Sequence, residues 1–586
     1  VVINEREYRK GEENMPRELG TGVQSFSQLI EDKCFFIDKT NFIKEWWKSK
    51  EAVALITRPR RFGKTLNMSM LECFFSPEYA GRADLFEGLD VWNNAEMREL
   101  QGNWPVIFVT MAAIKGVDHK DFLEQMNAEM QSVYSRYEEF INNSDKISDA
   151  KKEKFNLFNR TMIKTMVAEQ DDPEKKVNTT LLTKSIAFLS ELLSIHYGKK
   201  VIILLDEYDT PMVESYVKKY WDEVVAFMRK FFNTTFKSNP YMYRSILTGI
   251  TRVSKESLFS DFNNLKIYSL SSQKYQDYFG FTEEEVFNAL DEYGYTDKEK
   301  VKYWYDGFTI GTQKDIYNPW SIINFLDEGK YEPYWANTSS NKLVSDLLRE
   351  GDAELKSDFE YLLTGGTVTK QINEELVYSQ LDKTRDSVWS LLTMSGYLRI
   401  NSIKGKNYEL ELVNHETKEM FEGMISNWFA KGDRYSNFIK ALLQNDLDYM
   451  NKFMNDLTVS MFSSFDTGKK PSDEAEPERF YHGFVLGLLV DLRERYSVTS
   501  NRESGFGRYD VLLEPLDKEK DDAMIFEFKV INKRKGENDL EDTVAAALKQ
   551  IEDKKYEQVL LDKGIKKDRI RKYGFAFEGN RVLIGE

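Results

Sequence analysis

Two aliphatic runs stand out in the hydrophobic pattern because each gives way at once to a polar turn. The first, Val53-Ala54-Leu55-Ile56, is followed by Arg-Pro-Arg-Arg-Phe-Gly-Lys-Thr over 58–65, then by Leu66, Met70, Leu71 and Phe74 at helical spacing. This predicts a buried strand, a short loop and an amphipathic helix. The second, Val201-Ile202-Ile203-Leu204-Leu205, is a continuous run of the kind carried by strands covered on both faces of a parallel sheet, and it ends in Asp206 and Glu207. Trp104–Thr110 and Tyr243–Thr251 read as further strands, and residues 118–200 as long charged helices. Phe26, Leu29, Phe35, Phe36 and Ile37 predict a strand or turn feeding a helix that carries Phe42, Ile43, Trp46 and Trp47. Strand–helix alternation through this half predicts an α/β domain with a parallel sheet over 20–280.

From 281 to 462 the pattern turns helical and aromatic. Tyr303–Phe308, Tyr317-Asn318-Pro319-Trp320 and Tyr334-Trp335 read as packing and turn elements of a helical lid. Trp389–Ile400 followed by Tyr408–Val413 predicts a helix leading into a β-wing, so this middle region is expected to be helical and winged-helix-like. Residues 463–479, rich in Ser, Asp, Glu, Lys and Pro, have linker composition. A last α/β domain is expected over 480–586, with a helix at Phe480–Asp491, strands at Gly507–Leu513 and Ala523–Val530, and a helix over 540–556. At 586 residues the chain has length for about three to four domains of roughly 150 residues each.

Composition narrows the partners. Lys and Arg number 81 against 97 Asp and Glu, a net charge of −16, so nucleic acid could be met only through a local basic groove. The two cysteines, Cys34 and Cys73, and the scattered His119, His196, His415 and His482 exclude a disulfide framework and a Cys/His zinc site, and fit a reducing cytoplasm. The longest apolar segments, such as Phe484–Val490, fall far short of the ~20 residues that span a bilayer, so no membrane partner is expected.

The loop at 58–65 carries the second half of the phosphate-loop pattern in Gly63, Lys64 and Thr65; Arg58, followed by Pro59, stands where that pattern has its first glycine. Gly-Lys-Thr alone describes an ordinary Thr-capped helix start equally well. Asp206 and Glu207 at the end of a central strand decide for a nucleotide site. Lys64 would reach the phosphates, Thr65 and Asp206 would ligate Mg²⁺, and Glu207 would activate water. Thr248, Thr251 or Arg252, near the tip of the following strand, is placed to sense a γ-phosphate, and a strand-ending turn around Gly249 accounts for the same residues equally well.

Near the carboxyl end, Glu527 and Lys529 are two positions apart on a strand and share a face among apolar neighbours, where burying both without use would be costly. Asp510 on the preceding strand, Glu527 and a backbone carbonyl near Phe528 would bind Mg²⁺ through oxygen, with Lys529 orienting water or offsetting phosphate charge. Glu-x-Lys alone is a common salt bridge; the ordered set Glu478, Asp510, Glu527, Lys529 and Gln550 is a stronger sign of a phosphodiesterase core. Gln550 and Tyr556 would contact nucleic acid or support the site.

With Phe36–Thr40, Arg58–Thr65, Leu204–Asp209, Leu247–Arg252, Tyr317–Trp320, Gly507–Asp510 and Glu527–Lys529, the chain resembles bacterial AAA-ATPase-like proteins that end in a PD-(D/E)XK nuclease domain. The resemblance covers nearly all of the chain. It implies a P-loop NTPase-like sheet domain that binds ATP through Lys64 and Thr65, with Arg60, Arg61, Phe62 and Gly63 completing the loop and Arg252 nearby. It implies a Walker B role for Asp206 and Glu207, with Glu207 catalytic. At the nuclease-like domain it implies metal binding by Asp510 and Glu527, with Glu527 and Lys529 catalytic and Glu478 and Gln550 in support. The chain departs from wider patterns in the missing loop glycine and in Arg508-Tyr509-Asp510 where Pro-Asp is usual.

The expected function is ATP binding and hydrolysis coupled to Mg²⁺-dependent (or Mn²⁺-dependent) cleavage of nucleic acid, DNA ahead of RNA, in a chain that can form a homo-oligomer. The alternative is an NTPase switch for signalling or defence whose nuclease-like domain binds without cutting; a third is a purely structural interaction protein. A positive groove built from Lys529, Lys533, Arg534, Lys535 and Lys549 would favour cleavage.

Overall fold

The computed structural model describes residues 16–167, 177–252, 258–259, 264–335, 342–350, 353–363, 365–375, 385–429, 434–462, 492, 495–500, 503–504, 507–508, 510–533, 536–578 and 581–586. They divide into two compact units, residues up to 340 with 369–417, and 341–368 with 418–586.

In the first unit, strands β1 (Val53–Thr57), β2 (Val106–Thr110), β3 (Val201–Asp206), β4 (Met242–Gly249) and β5 (Leu265–Tyr268) form a parallel sheet in the order β2-β3-β4-β1-β5. Every residue of β1 and β3 is buried, the reason both runs are uninterrupted aliphatics. Strand β4 lies between them, and its register, Thr248 beside Ile56 and Leu247 beside Leu205, carries Thr248 to the end of the sheet where β1 and β3 both stop.

Residues 26–37 differ from expectation. Phe26–Glu31 is a helix, capped by the Ser25 hydroxyl, and Phe35–Ile37 is not in a strand. Phe26 and Leu29, three apart, face the core as helical neighbours do. The next helix, Asn41–Ser49, buries Phe42, Ile43 and Trp46 as the pattern predicts.

Two small sheets follow in the same unit. Strands β6 (Phe281–Thr282), β7 (Phe308–Ile310) and β8 (Gln313–Tyr317) are antiparallel in the order β6-β8-β7. Phe281 and Tyr317 pack with Val286, Leu290, Val301, Tyr305 and Phe325 in one core, so Tyr305 and Tyr317 pack as expected, whereas Tyr303 is exposed. Strands β9 (Val368–Gln371), β10 (Leu398–Lys404) and β11 (Asn407–Leu412) form the other. The helix before the β10–β11 hairpin spans Arg385–Met394 and stops short of the expected Ile400 because Gly396 takes a left-handed φ of +87°.

The second unit holds β12 (Tyr496–Ser500), the short hairpin β13 (Glu503–Ser504) and β14 (Gly507–Arg508), then β15 (Val511–Pro515), β16 (Ala523–Val530), β17 (Ile570–Glu578) and β18 (Arg581–Gly585). Its five-stranded sheet runs β12-β15-β16-β17-β18, with β16 and β17 parallel and joined through the helix Leu540–Asp553. Phe526 and Phe528 of β16 face a core that includes Phe438, Leu442, Met450 and Met454 from the helices Arg434–Gln444 and Leu447–Phe462. This packing therefore begins before the expected domain start at 480, because those helices cover one face of the sheet. The expected linker at 463–479 and helix at 480–491 lie outside the described residues.

Candidate functional site

The phosphate-loop candidate joins β1 to the helix Lys64–Phe75, whose first N–H groups open toward the loop. Gly63 turns the chain at a φ of +76°. Lys64 is 5% exposed, and its ammonium donates to the carbonyls of Arg58 at 3.0 Å and Pro59 at 2.8 Å. Burial pushes its pKa down, while Glu207, Asp206 and Asp209 pull it back up. The Thr65 hydroxyl donates to Asp206 Oδ2 at 2.6 Å, and the Thr248 hydroxyl donates to Oδ1. Asp206 is 1% exposed, and burial raises its pKa. Lys64, Thr65, Asp206 and Glu207 thus meet in one place. Glu207 holds a left-handed φ of +53° and accepts from the Thr210 hydroxyl at 3.1 Å.

Arg58 accounts for the missing glycine. Its buried guanidinium runs toward the β5 side of the sheet and donates to the carbonyls of Thr57 (2.8 Å), Ser269 (2.9 Å), Tyr268 (3.1 Å) and Tyr275 (3.2 Å). Burial lowers its pKa to about 9.

The remaining loop residues are gripped from outside the sheet domain. Asn318 Nδ2 donates to the Arg60 carbonyl at 3.1 Å while Asn318 Oδ1 accepts from Trp320 N at 2.9 Å, capping the helix Pro319–Glu328. The Arg61 guanidinium lies 4.4 Å from the centre of the Trp320 ring, and Phe62 meets Phe308 edge-on at 4.8 Å. At Gly396 a side chain would lie 2.7 Å from Pro59. Arg60 and Arg61 are exposed and Phe62 is buried.

Arg252 does not join this cluster: its guanidinium pairs with Glu375. Of the three strand-tip candidates, Thr248 is the one bonded to Asp206. Asp209, to which sequence reasoning gave no role, fixes the turn after β4; its Oδ2 accepts from Ile250 N at 2.9 Å, Thr251 N at 2.8 Å and the Thr251 hydroxyl at 2.9 Å. In the Phe36–Thr40 motif, Asp38 accepts from Thr40 N at 2.8 Å, a local tie, and Lys39 pairs at 2.6 Å with Glu285, 246 positions on.

In the second unit, antiparallel pairing of Val511 with Phe526 sets Asp510, at the bend entering β15, beside Glu527. Asp510 therefore precedes the strand expected to carry it, and its Oδ2 accepts from Phe528 N at 2.8 Å. Glu527, 3% exposed, and Lys529 share the face covered by the helix Leu540–Asp553. Gln550 joins the two: its Oε1 accepts from Lys529 Nζ at 2.7 Å and its Nε2 donates to Glu527 Oε1. The Tyr556 hydroxyl lies 3.5 Å from Gln550 Nε2, and its pKa is raised by burial and then by Glu527. Of the proposed basic groove, Lys533 reaches Glu578 at 3.4 Å and Lys549 is exposed. Glu478, Arg534 and Lys535 lie outside the described residues.

The Asp510 and Glu527 carboxylates, and the Thr65 hydroxyl with Asp206, are hard oxygen donors that suit Mg²⁺ or Mn²⁺. Among the described residues no helix is long and apolar enough to cross a membrane.

With this geometry in hand, the class of protein follows. Residues 20–259 match the family described as predicted AAA-ATPases, and residues 476–586 match the PD-(D/E)XK nuclease superfamily. The chain joins an AAA-ATPase-like domain to a nuclease-superfamily domain in one polypeptide. It is similar to an "Uncharacterized protein in vnfD 5'region" of Azotobacter chroococcum mcd 1, with 25% identity over 409 residues, 69% of this chain and 68% of the relative. Among solved structures, the ORC2 protein of Aeropyrum pernix, in ADPNP-ADP complexes, aligns at 9% identity and a TM-score of 0.21, covering 70% of this chain and 96% of that one.

Proposed function

We propose that the chain binds and hydrolyses ATP in its amino-terminal module, over 20–280, and cleaves nucleic acid, DNA ahead of RNA, in its nuclease-like domain, over 480–586, with nucleotide state controlling cleavage. The observation that carries this reading is that each unit, taken separately, gathers a lysine and acidic oxygens from distant positions around one point: Lys64, Thr65 and Asp206 in the first, Asp510, Glu527 and Lys529 in the second.

On the ATP side, Lys64 exchanges the Arg58 and Pro59 carbonyls for phosphate oxygens, which suit a buried ammonium better. Thr65 and Asp206 hold Mg²⁺, and Glu207, partly exposed beside them, takes the proton of the attacking water. On the nucleic acid side, Asp510 and Glu527 hold Mg²⁺ or Mn²⁺, while Lys529, steadied by Gln550, stabilises charge on the phosphate. At both sites the metal supplies charge neutralisation of phosphate oxygens and, at the second, a more acidic water. Two cysteines in 586 residues support a cytoplasmic location as part of this reading, together with homo-oligomers.

The test is the purified chain on DNA and RNA with Mg²⁺ or Mn²⁺, with and without ATP. Lys64→Ala should lose nucleotide turnover, and Glu527→Ala should lose cleavage while keeping it. Cleavage retained by Glu527→Ala ends this reading. A net charge of −16 and the engagement of Lys533 by Glu578 favour a second reading, in which the domain binds without cutting. Equal nucleic acid binding by wild type and Glu527→Ala, with no products from either, would select it.

A further inference from the structure

Away from both phosphate sites, Glu283, Asp306 and Asp315 each offer a carboxylate oxygen, and these oxygens all lie within 4.8 Å of one another. They lie around the small β6-β8-β7 sheet: Glu283 opens the helix directly after β6, Asp306 ends the helix Lys298–Tyr305 two residues before β7, and Asp315 is within β8.

An acidic cluster on a surface is ordinary, but this one holds a buried oxygen that no hydrogen bond among the described residues satisfies. Asp306 is 8% exposed, and its Oδ1 has no hydrogen-bond partner among the described residues. Leaving a carboxylate oxygen so placed is costly unless a cation or a proton completes it. The nearby ammonium does not. Lys302 pairs with Glu283 and stands 3.9 Å from Asp306 and 3.7 Å from Asp315, beyond hydrogen-bond reach of both. One ammonium thus faces three carboxylates. Besides Lys302, the Tyr317 hydroxyl lies 3.4 Å from Glu283 Oε2, and the Gly307 N–H donates to the Asp306 carboxylate. Burial, and then Asp315, hold the Asp306 carboxyl well above the usual carboxylate range, against the lowering effect of the Gly307 N–H and Lys302.

We infer that Glu283, Asp306 and Asp315 bind a hard divalent cation that ties the three strands of this sheet together. Oxygen-only ligation by three carboxylates suits Mn²⁺, Mg²⁺ or Ca²⁺ and disfavours the softer metals that seek His or Cys. The placement gives the site a consequence. Strand β7 carries Phe308 against Phe62, and β8 leads directly to Asn318 and Trp320, which hold Arg60 and Arg61. A cation fastening β6, β7 and β8 would stiffen the outer wall of the phosphate loop.

The test uses the full chain carrying Thr65→Ala and Glu527→Ala, so that each of the other two candidate metal positions loses a ligand, titrated with MnCl₂ alone by calorimetry and by thermal melting. Saturable Mn²⁺ binding and a metal-dependent rise in melting temperature are expected. Adding Asp306→Asn should abolish both, and adding Asp315→Asn should weaken binding at least tenfold. Should Asp306→Asn fail to fold, Asp315→Asn, whose carboxylate is half exposed, decides alone. Binding unchanged by these substitutions would overturn the inference. So would no Mn²⁺ binding at all together with a higher melting temperature for Asp306→Asn at pH 8, which would assign the pair to a shared proton.

Discussion

The side-chain amide of Asn318 donates to the main-chain carbonyl of Arg60 at 3.1 Å, across 258 positions of sequence. The phosphate loop is therefore shaped partly by a helix cap that lies outside the domain bearing the loop. Removing the amide in Asn318→Ala costs the cap as well as the loop contact, about 1–2 kcal/mol together. A several-fold rise in KM for ATP with a modest fall in melting temperature is expected. Unchanged KM would mean that the loop holds its form unaided.

Arg58 occupies the position of a pattern glycine, yet Arg58→Gly should harm the protein. Buried carbonyls of Tyr268, Ser269 and Tyr275 would lose their donor, at about 1–3 kcal/mol for a buried group left unsatisfied. Urea unfolding should show a loss of about 3 kcal/mol or more for the group. Wild-type stability in that variant would contradict the assignment of Arg58 as a structural tie.

Gln550 positions both Glu527 and Lys529, so Gln550→Ala should reduce nucleic acid cleavage by about 10–100-fold, the usual scale for loss of a partner that orients a ligand. ATP turnover should be untouched. A parallel fall in both activities would point to general unfolding instead.

Asp522 gives a pH prediction. Burial raises its pKa, but hydrogen bonds from Arg569 and Arg571 outweigh this and leave it below its ordinary 3.8. The folded protein thus binds fewer protons at this carboxylate than the unfolded chain does, so stability rises with pH across that range. The contribution is complete above about pH 4 and is lost as the pH falls through the lower, folded value. In denaturant titrations, Asp522→Asn should be less stable than wild type at pH 6, and the gap should close toward pH 2. A gap that stays constant would remove the ion pairs as its cause.

Much of the geometry of the two candidate sites was legible in the sequence because it follows from periodicity. Continuous aliphatic runs located β1 and β3, and a two-residue spacing put Glu527 and Lys529 on one face. What stayed hidden was set by contacts between distant segments. Tyr317-Asn318-Pro319-Trp320 reads as a turn and helix start, and no local pattern says that it rests on Arg60 and Arg61. The Arg252–Glu375 pair is hidden in the same way. Phe35-Phe36-Ile37 imitates a strand, whereas the helix is set by the Ser25 cap and the Phe26–Leu29 spacing. The polar composition of 463–479 draws attention away from Phe438 and Met450, which pack on the carboxyl-terminal sheet from the amino-terminal side of that stretch. The signal that could have flagged Asp209 is Thr248-Gly249-Ile250-Thr251 at the end of β4, the strand beside β3, whose last residue Asp206 leads into Glu207-Tyr208-Asp209.

Four successive residues, Pro59 to Phe62, touch Gly396, Asn318, Trp320 and Phe308, all beyond the segment that family similarity marks out as the ATPase. A fragment cut at residue 259 would keep both acidic strand ends but strip the loop of its outer support. The border drawn by likeness to other chains and the border drawn by physical cohesion are different here, and an engineer excising this module should cut at the second.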